Sequence, residues 1–256
     1  MKKIALILIL GMLTFSCTED NDDKLGSNNI NVTPTFTFTQ NWDDTAISPS
    51  DIENTQYTNA NGEVLTITRL RYLLSHFELL DENGNTTPLQ GYQLIDLSDA
   101  ETYNFIPTSA VTPGNYTLKF VYGFNEADNI DGAYTDLNSA SWNWPEMLGG
   151  GYHFLQFDGQ YNVNTTTPMP FNYHNGMAMV SEDNFEQNFV AFEFPTEIPI
   201  SETTTIEIQF NLAELFKNPN LWDLNTYNTS LMPNYEAQKM MQENIASAFT
   251  LGEITQ

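Results

Sequence analysis

What most limits the fold of this 256-residue chain is a two-residue alternation of apolar and polar side chains that recurs in short runs. Phe36 and Phe38 alternate with Thr35, Thr37 and Thr39; Tyr116, Leu118, Phe120 and Tyr122 share one parity; Ile206, Ile208, Phe210 and Leu212 alternate with Glu207, Gln209 and Asn211. An extended chain turns successive side chains to opposite faces, so such runs are strands with one face for a core. Residues 64–80, 92–97, 151–157 and 189–194 read as further strands, and in 64–80 the apolar phase changes near Leu70, which predicts a bulge or a break. Asp81-Glu82-Asn83-Gly84-Asn85 is turn chemistry between strands. One helix is expected, after Pro233, with Ala237, Met241, Ile245 and Ala248 on one face, Glu236 in its first turn and Gly252 at its end. Met240 and Met241 read as core fillers. The fold class is all-β, an antiparallel β-sandwich with one C-terminal α-helix, in one domain over residues 33–256.

The N-terminus reads differently. Lys2 and Lys3 precede an apolar run from Ile4 to Leu13 that is too short for a permanent membrane span and ends at Cys17. Residues 1–16 are therefore expected to be a lipoprotein signal peptide, with Cys17 as the acylated mature N-terminus and the membrane as partner through that anchor. The alternative is a buried thiol in a retained N-terminal element. Cys17 is the single cysteine, so neither an intramolecular disulfide nor a cysteine-built zinc or iron–sulfur site can form. Residues 17–32 read as a flexible acidic tether. Its cluster Glu19, Asp20, Asp22 and Asp23 fits a solvated spacer and also resembles the export signal of surface lipoproteins in Bacteroidetes. The expected location is the outer membrane, on its periplasmic or cell-surface face.

Eight Lys+Arg against 33 Asp+Glu give a formal charge of −25, which repels phosphate backbones, so no nucleic-acid partner is expected. The 17 Phe, 12 Tyr and 4 Trp are too many for a disordered acidic tail and imply a substantial core. No HExxH, GxSxG, P-loop or GxGxxG motif occurs, and 33 acids make any chosen carboxylate pair uninformative, so no enzymatic activity is expected. The loop from Asn125 to Gly132 brings three carboxylates and two amides together without EF-hand spacing; calcium there is one reading and a solvated turn the other.

Two constellations stand apart. Trp142-Asn143-Trp144 precedes the glycine-rich Gly149-Gly150-Gly151-Tyr152-His153 and a strand ending in Asp158-Gly159; Phe171-Asn172-Tyr173-His174-Asn175-Gly176 follows. On spacing alone each reads as a packed aromatic corner with a satisfied histidine. Taken in order with the strand Thr66-Ile67-Thr68-Arg69-Leu70-Arg71-Tyr72-Leu73-Leu74-Ser75-His76-Phe77-Glu78-Leu79, they resemble the landmarks of the MbnP-like copper-binding proteins, a family named for a partner in methanobactin gene clusters with lipoprotein members in Bacteroidetes. Those landmarks are L-x-Y-Y-I-S-N-x-x-L, W-x-W with a G-Y strand ending in E-G, and F-x-F-H-x-G. The resemblance covers most of the domain, and Glu243-Asn244-Ile245-Ala246 with Phe249 extends it. In this chain 145–150 lengthens the link between W-x-W and G-Y.

The resemblance implies a β-sandwich that binds copper through histidines and, in relatives, a tryptophan oxidised to kynurenine by a di-haem cytochrome c peroxidase-like partner. It places the metal at His174; from the sequence itself His153 is expected as the second ligand, because it begins the strand just after the tryptophan pair, and His76, the remaining histidine, as the third. The resemblance makes Trp142 or Trp144 the copper-adjacent or modified residue, and only one of the two is expected to reach the site, with Trp142 favoured because Trp144 precedes Pro145. The reading from another class is a lipid-anchored module that binds surface glycan or protein through exposed aromatics; it requires the two tryptophans to lie on an open platform.

Overall fold

The computed structural model describes residues 30–256, so Cys17, the leader and the tether up to residue 29 lie outside the described residues. No helix among the described residues is long and apolar enough to cross a membrane.

The alternating runs form two main β-sheets with a shared core, while Ala178–Ser181 and Asn184–Glu186 pair in a separate two-stranded sheet. The smaller main sheet orders Phe249–Thr255, Thr205–Asn211, Thr35–Trp42 and Thr45–Ile47, with Asn104–Phe105 also paired to Thr35–Trp42. Thr35–Trp42 and Thr205–Asn211 run parallel in an otherwise antiparallel arrangement. The larger sheet is built on Val64–Asp81, which carries Thr86–Asp96 along one edge. Between the sheets Tyr72 meets Phe210, Phe36 meets Phe77, and Phe120 meets Phe249, with ring centroids 4.8, 5.0 and 5.7 Å apart. Offset and edge-on aromatic packing of this kind adds to the burial that drives sheet association.

Val64–Asp81 runs unbroken for 18 residues. The phase change expected near Leu70 is a bulge between Ile67 and Arg69, and a second irregularity occurs between Ser75 and Phe77, where His76 has φ +51°. Bulges let one long strand change its exposed face without ending. The other edge of this strand changes partner midway: Leu65 to Tyr72 pair with Leu155–Tyr161, and Leu74 to Asp81 with Gly114–Tyr122. Leu73 sits at the handover, donating to the Phe154 carbonyl at 3.0 Å and accepting from Gly123 N at 2.8 Å. The sheet forks there, and residues 124–154 occupy the space beside the fork.

Three expectations need correction. The strand expected over 151–157 starts only at Leu155, because the preceding residues pair with the tryptophan segment through a bridge between Asn143 and Tyr152. The helix spans Tyr235–Ile245, capped by the Asn234 side chain on Ala237 N, and buries Ala237, Met241 and Ile245; Ala248, expected on the same face, is buried but lies beyond the helix end. Gly252 does not end it. Gly252 lies in a final strand, Phe249–Thr255, where an added Cβ would stand 2.0 Å from a Glu207 carboxylate oxygen, so glycine admits a side chain from the neighbouring strand.

Candidate metal centre

Three adjacent strands of the larger sheet, Val64–Asp81, Leu155–Tyr161 and Met169–Asn175, set out the polar framework. Arg69 and Arg71 stand opposite Asp158 and Gln156, which in turn stand opposite Asn172 and His174. The intervening residues Leu70, Tyr72, Leu155, Phe157, Phe171 and Tyr173 belong to the core. Period two thus gives this part of the sheet one apolar face and one carrying two guanidiniums, two amides, a carboxylate and an imidazole.

Asp158 links these groups. Its Oδ1 accepts from His174 Nε2–H at 2.7 Å and from Asn172 Nδ2–H at 2.6 Å, while Oδ2 takes the Arg69 guanidinium. Burial works to raise its carboxyl, but the hydrogen bond and electrostatic pull of His174, then Asn172 and Arg69, hold it at about 2. Because the carboxylate only accepts, His174 presents Nε2–H to it, and Nδ1 is the ring nitrogen left for another partner.

His153 is delivered by the covering segment. Its backbone N–H donates to the Trp142 carbonyl at 2.9 Å, and its Nδ1 lies 3.1 Å from the same oxygen. A carbonyl cannot donate, so Nδ1 carries the proton and Nε2 the lone pair. Burial, followed by the proximity of His174, lowers the His153 pKa to about 3, which keeps the ring neutral. The two imidazoles stand edge to face with centroids 5.5 Å apart, each with one nitrogen engaged by a fixed acceptor and the other uncommitted.

Both tryptophans lie against His153, with ring centroids at 5.6 Å for Trp142 and 4.9 Å for Trp144. The expectation that only one could approach is overturned, because residues two apart in an extended segment share a face. The longer 145–150 link does not carry Trp144 away either: Leu148 N and Gly150 N both close on the Pro145 carbonyl, and Trp144 N donates to Gly151 O at 2.9 Å. Both indoles are fully buried, at 0% and 1% exposure, so they form no open platform for a sugar ring. Trp144 Nε1–H donates to Leu148 O, whereas Trp142 Nε1–H has no acceptor, and the Arg71 guanidinium lies over the Trp142 ring at 5.1 Å.

The glycine closing Phe171-Asn172-Tyr173-His174-Asn175-Gly176 has a steric reason: a Cβ there would stand 2.5 Å from the Trp144 ring. Gly176→Ala is expected to displace that indole at a cost of about 1–3 kcal/mol, read as a lower urea midpoint together with altered tryptophan fluorescence. Behind this strand the helix residue Gln238 is fully buried, donating to His174 O at 2.8 Å and accepting from Gly176 N.

His76 is not part of this arrangement. Its ring is held by Asp128 at 2.6 Å, Asn125 at 2.9 Å and Ser75 Oγ at 2.9 Å, and it lines a separate cavity of about 340 Å³ with Tyr92, Phe124 and Tyr134. The Ser75-His76-Asp128 chain has the residue types of a hydrolase relay, but the Ser75 hydroxyl donates to Gly123 O and is 1% exposed, so it is not presented as a nucleophile. In the same loop Asn129 Oδ1 accepts from Tyr152 N, which takes Asp128 and Asn129 out of the calcium reading. Among the described residues no three His, Cys, Asp or Glu side chains form a preformed metal set. The residues that sequence reasoning missed are Asp158, Arg69, Arg71, Asn172 and Gln238. The first four had a signal, since polar residues two apart in Arg69-x-Arg71, Gln156-x-Asp158 and Asn172-x-His174 mark one strand face.

An imidazole-bound metal ion stands about 2 Å from its nitrogen, so ring centroids 5.5 Å apart lie within the span that one shared ion allows, and Nε2 of His153 and Nδ1 of His174 are the ring nitrogens left to hold it. A groove of about 530 Å³, lined by Asn172, His174, Pro145, Met147, Leu148 and Met232 among others, leads to His174 from the surface.

No curated protein matches the chain. Among solved structures it is similar to MbnP from Methylosinus trichosporium, with 13% identity and a TM-score of 0.58 over 86% of this chain and 98% of that one, a likeness of fold. The sequence model of the MbnP family matches residues 31–234, a span that includes Trp142, Trp144, His153, Asp158 and His174, and the chain belongs to that family.

Proposed function

We propose that the protein is a lipid-anchored extracytoplasmic copper-binding protein whose ion is held by His153 and His174. The observation that carries this reading is the pair of imidazoles 5.5 Å apart, each fixed in a defined tautomer by a hydrogen bond on its far nitrogen. Outer partners of that kind orient a ligand and raise its basicity. Imidazole suits copper in both oxidation states, and copper leads the divalent affinity order, so a site with few protein ligands can still be selective. The bound ion would supply redox or storage chemistry; the chain supplies two oriented imidazoles, a water-poor aromatic wall and a carboxylate that holds His174. A non-enzymatic role fits a centre whose carboxylate is fully engaged.

Family membership also motivates a kynurenine at the tryptophan pair, and Trp142 is the better candidate. Its Nε1–H and the neighbouring Arg71 Nε–H are both buried donors without acceptors, a cost of about 1–3 kcal/mol each. Oxidative cleavage of the Cγ–Cδ1 bond, with Cδ1 leaving as formate on hydrolysis, would turn Cγ into a ketone, an acceptor this corner lacks, and Nε1 into an aniline nitrogen. The oxidant has to come from outside, in keeping with a di-haem peroxidase-like partner. Mass spectrometry of protein from native cells should find acylated Cys17 and one modified tryptophan, while protein made alone in a laboratory host should carry both indoles intact. Cys17→Ala should remove both lipid labelling and membrane association. An unmodified Cys17 in native material would sink the anchor, and two intact indoles the kynurenine.

Copper itself is tested by titrating the metal-free mature chain against a copper chelator. One ion per chain is expected, with calcium unable to compete; weak, salt-sensitive binding without preference for copper would assign the metal to surface acids instead.

A further inference from the structure

Methionines are unevenly placed around the centre. Of the seven in the described chain, Met147 and Met232 line the groove that ends at His174, and Met177 and Met179 pack with Met232 into the cluster around Trp144 and Leu148. Met147 is 79% exposed, in the 145–150 link that follows the two tryptophans. An unbranched apolar side chain so exposed gains nothing from burial, and the groove around it is apolar apart from Asn172, His174 and Ser230. The thioether is a weak hydrogen-bond acceptor and a soft donor, a ligand type that selects cuprous ion over the hard cations an acidic surface attracts.

We propose that Met147 and Met232 form a cuprous-ion relay, a thioether site at the mouth of the groove that captures Cu(I) and passes it to His174. The inference rests on copper binding at the histidine pair and adds the route by which the ion reaches it. The transfer is ligand exchange: a sulfur–copper contact is replaced by the contact to the uncommitted His174 nitrogen, the ion stays Cu(I), and no electron or proton need move. His174 is the suitable receiver because it alone of the two histidines lines the groove, while His153 is buried behind it. The flexible stem of Met147 lets its sulfur sample the groove without a rigid site, which suits a relay that must also release its ion.

The test uses the full mature chain with isotope-labelled methionine methyl groups, silver(I) as a redox-inert probe of the thioethers, and Cu(I) offered from a chelator complex. Substoichiometric silver should shift the methyl signals of Met147 and Met232 and leave Met169, which is exposed elsewhere, unmoved. In the Met147→Leu, Met232→Leu double variant, a volume-conserving change that should fold normally, copper loading should slow by about tenfold or more, the effect of roughly 1.4 kcal/mol on a barrier, while one ion per chain is still bound at equilibrium. Unmoved methyl signals, or wild-type loading by the double variant with the histidine site filled, would overturn the relay and leave the histidine site standing. A wild-type chain that takes up no copper at equilibrium would overturn both.

Discussion

Replacing His174 by Ala should abolish tight copper binding, with the chelator competition showing a loss of at least about a hundredfold, above the 10- to 100-fold typical for an outer partner of a ligand. The ring is half the proposed donor set, and the groove that reaches it supplies no second imidazole. His153→Ala should have a similar effect on copper for a different reason. That ring is buried and neutral, its pKa lowered to about 3 by burial first and by His174 second, so it offers its lone pair without competing protons across the whole range above about pH 4. Affinity should therefore show little proton dependence from His153. His76→Ala, by contrast, should leave copper affinity unchanged, because its ring is committed to Asp128, Asn125 and Ser75. A His76 variant that lost copper while the His174 variant kept it would invert the assignment.

The second large effect concerns Asp158. Asp158→Ala removes the acceptor of His174, Asn172 and Arg69 together, and charged hydrogen bonds of this kind contribute about 1.5–3 kcal/mol each before the half-exposed Arg69 is discounted. A loss of about 3 kcal/mol in stability is expected, together with weaker copper binding as the His174 ring loses its orientation. The pH dependence has a definite sign. The folded Asp158 carboxyl is held at about 2 against an ordinary 3.8, so its contribution is fully present above the ordinary value and disappears as pH falls through about 2. His153 works in the same direction over a higher window: from its ordinary 6.5 down to about 3 the unfolded chain binds a proton that the folded chain excludes, so stability declines with acid. Urea midpoints measured from pH 7 to pH 3 should fall, and the fall should be shallower in His153→Gln. An unchanged slope in that variant would mean that the ring is already accessible to protons in the fold.

The legible part of this molecule was whatever depends on period two or period 3.6. Thr35 to Thr39, Tyr116 to Tyr122 and Ile206 to Asn211 announce strands because each has one face in the core. The helix announces itself by Ala237, Met241 and Ile245. The final strand, Phe249–Thr255, was hidden because its burial does not alternate cleanly and Gly252 mimics a helix end; only the contact with Glu207 explains that glycine. At the centre, the order of the motifs brought out Trp142, Trp144 and His174, but not the part played by Asp158. That part depends on a diagonal cross-strand contact and on Arg69 from a strand some 90 residues earlier, |i−j| = 89, a register no local pattern encodes. His76 was grouped with the other histidines by residue type alone, and the bulge that gives it φ +51° turns it toward Asp128 instead.

X-ray absorption of the mature chain loaded with one equivalent of copper tests the histidine centre most directly. Two oriented imidazoles should give the outer-shell scattering of two histidine rings, a signature that His153→Ala and His174→Ala each reduce or remove. Copper surrounded only by oxygen, with a spectrum unchanged in both variants, would place the ion on the acidic surface and contradict a histidine centre.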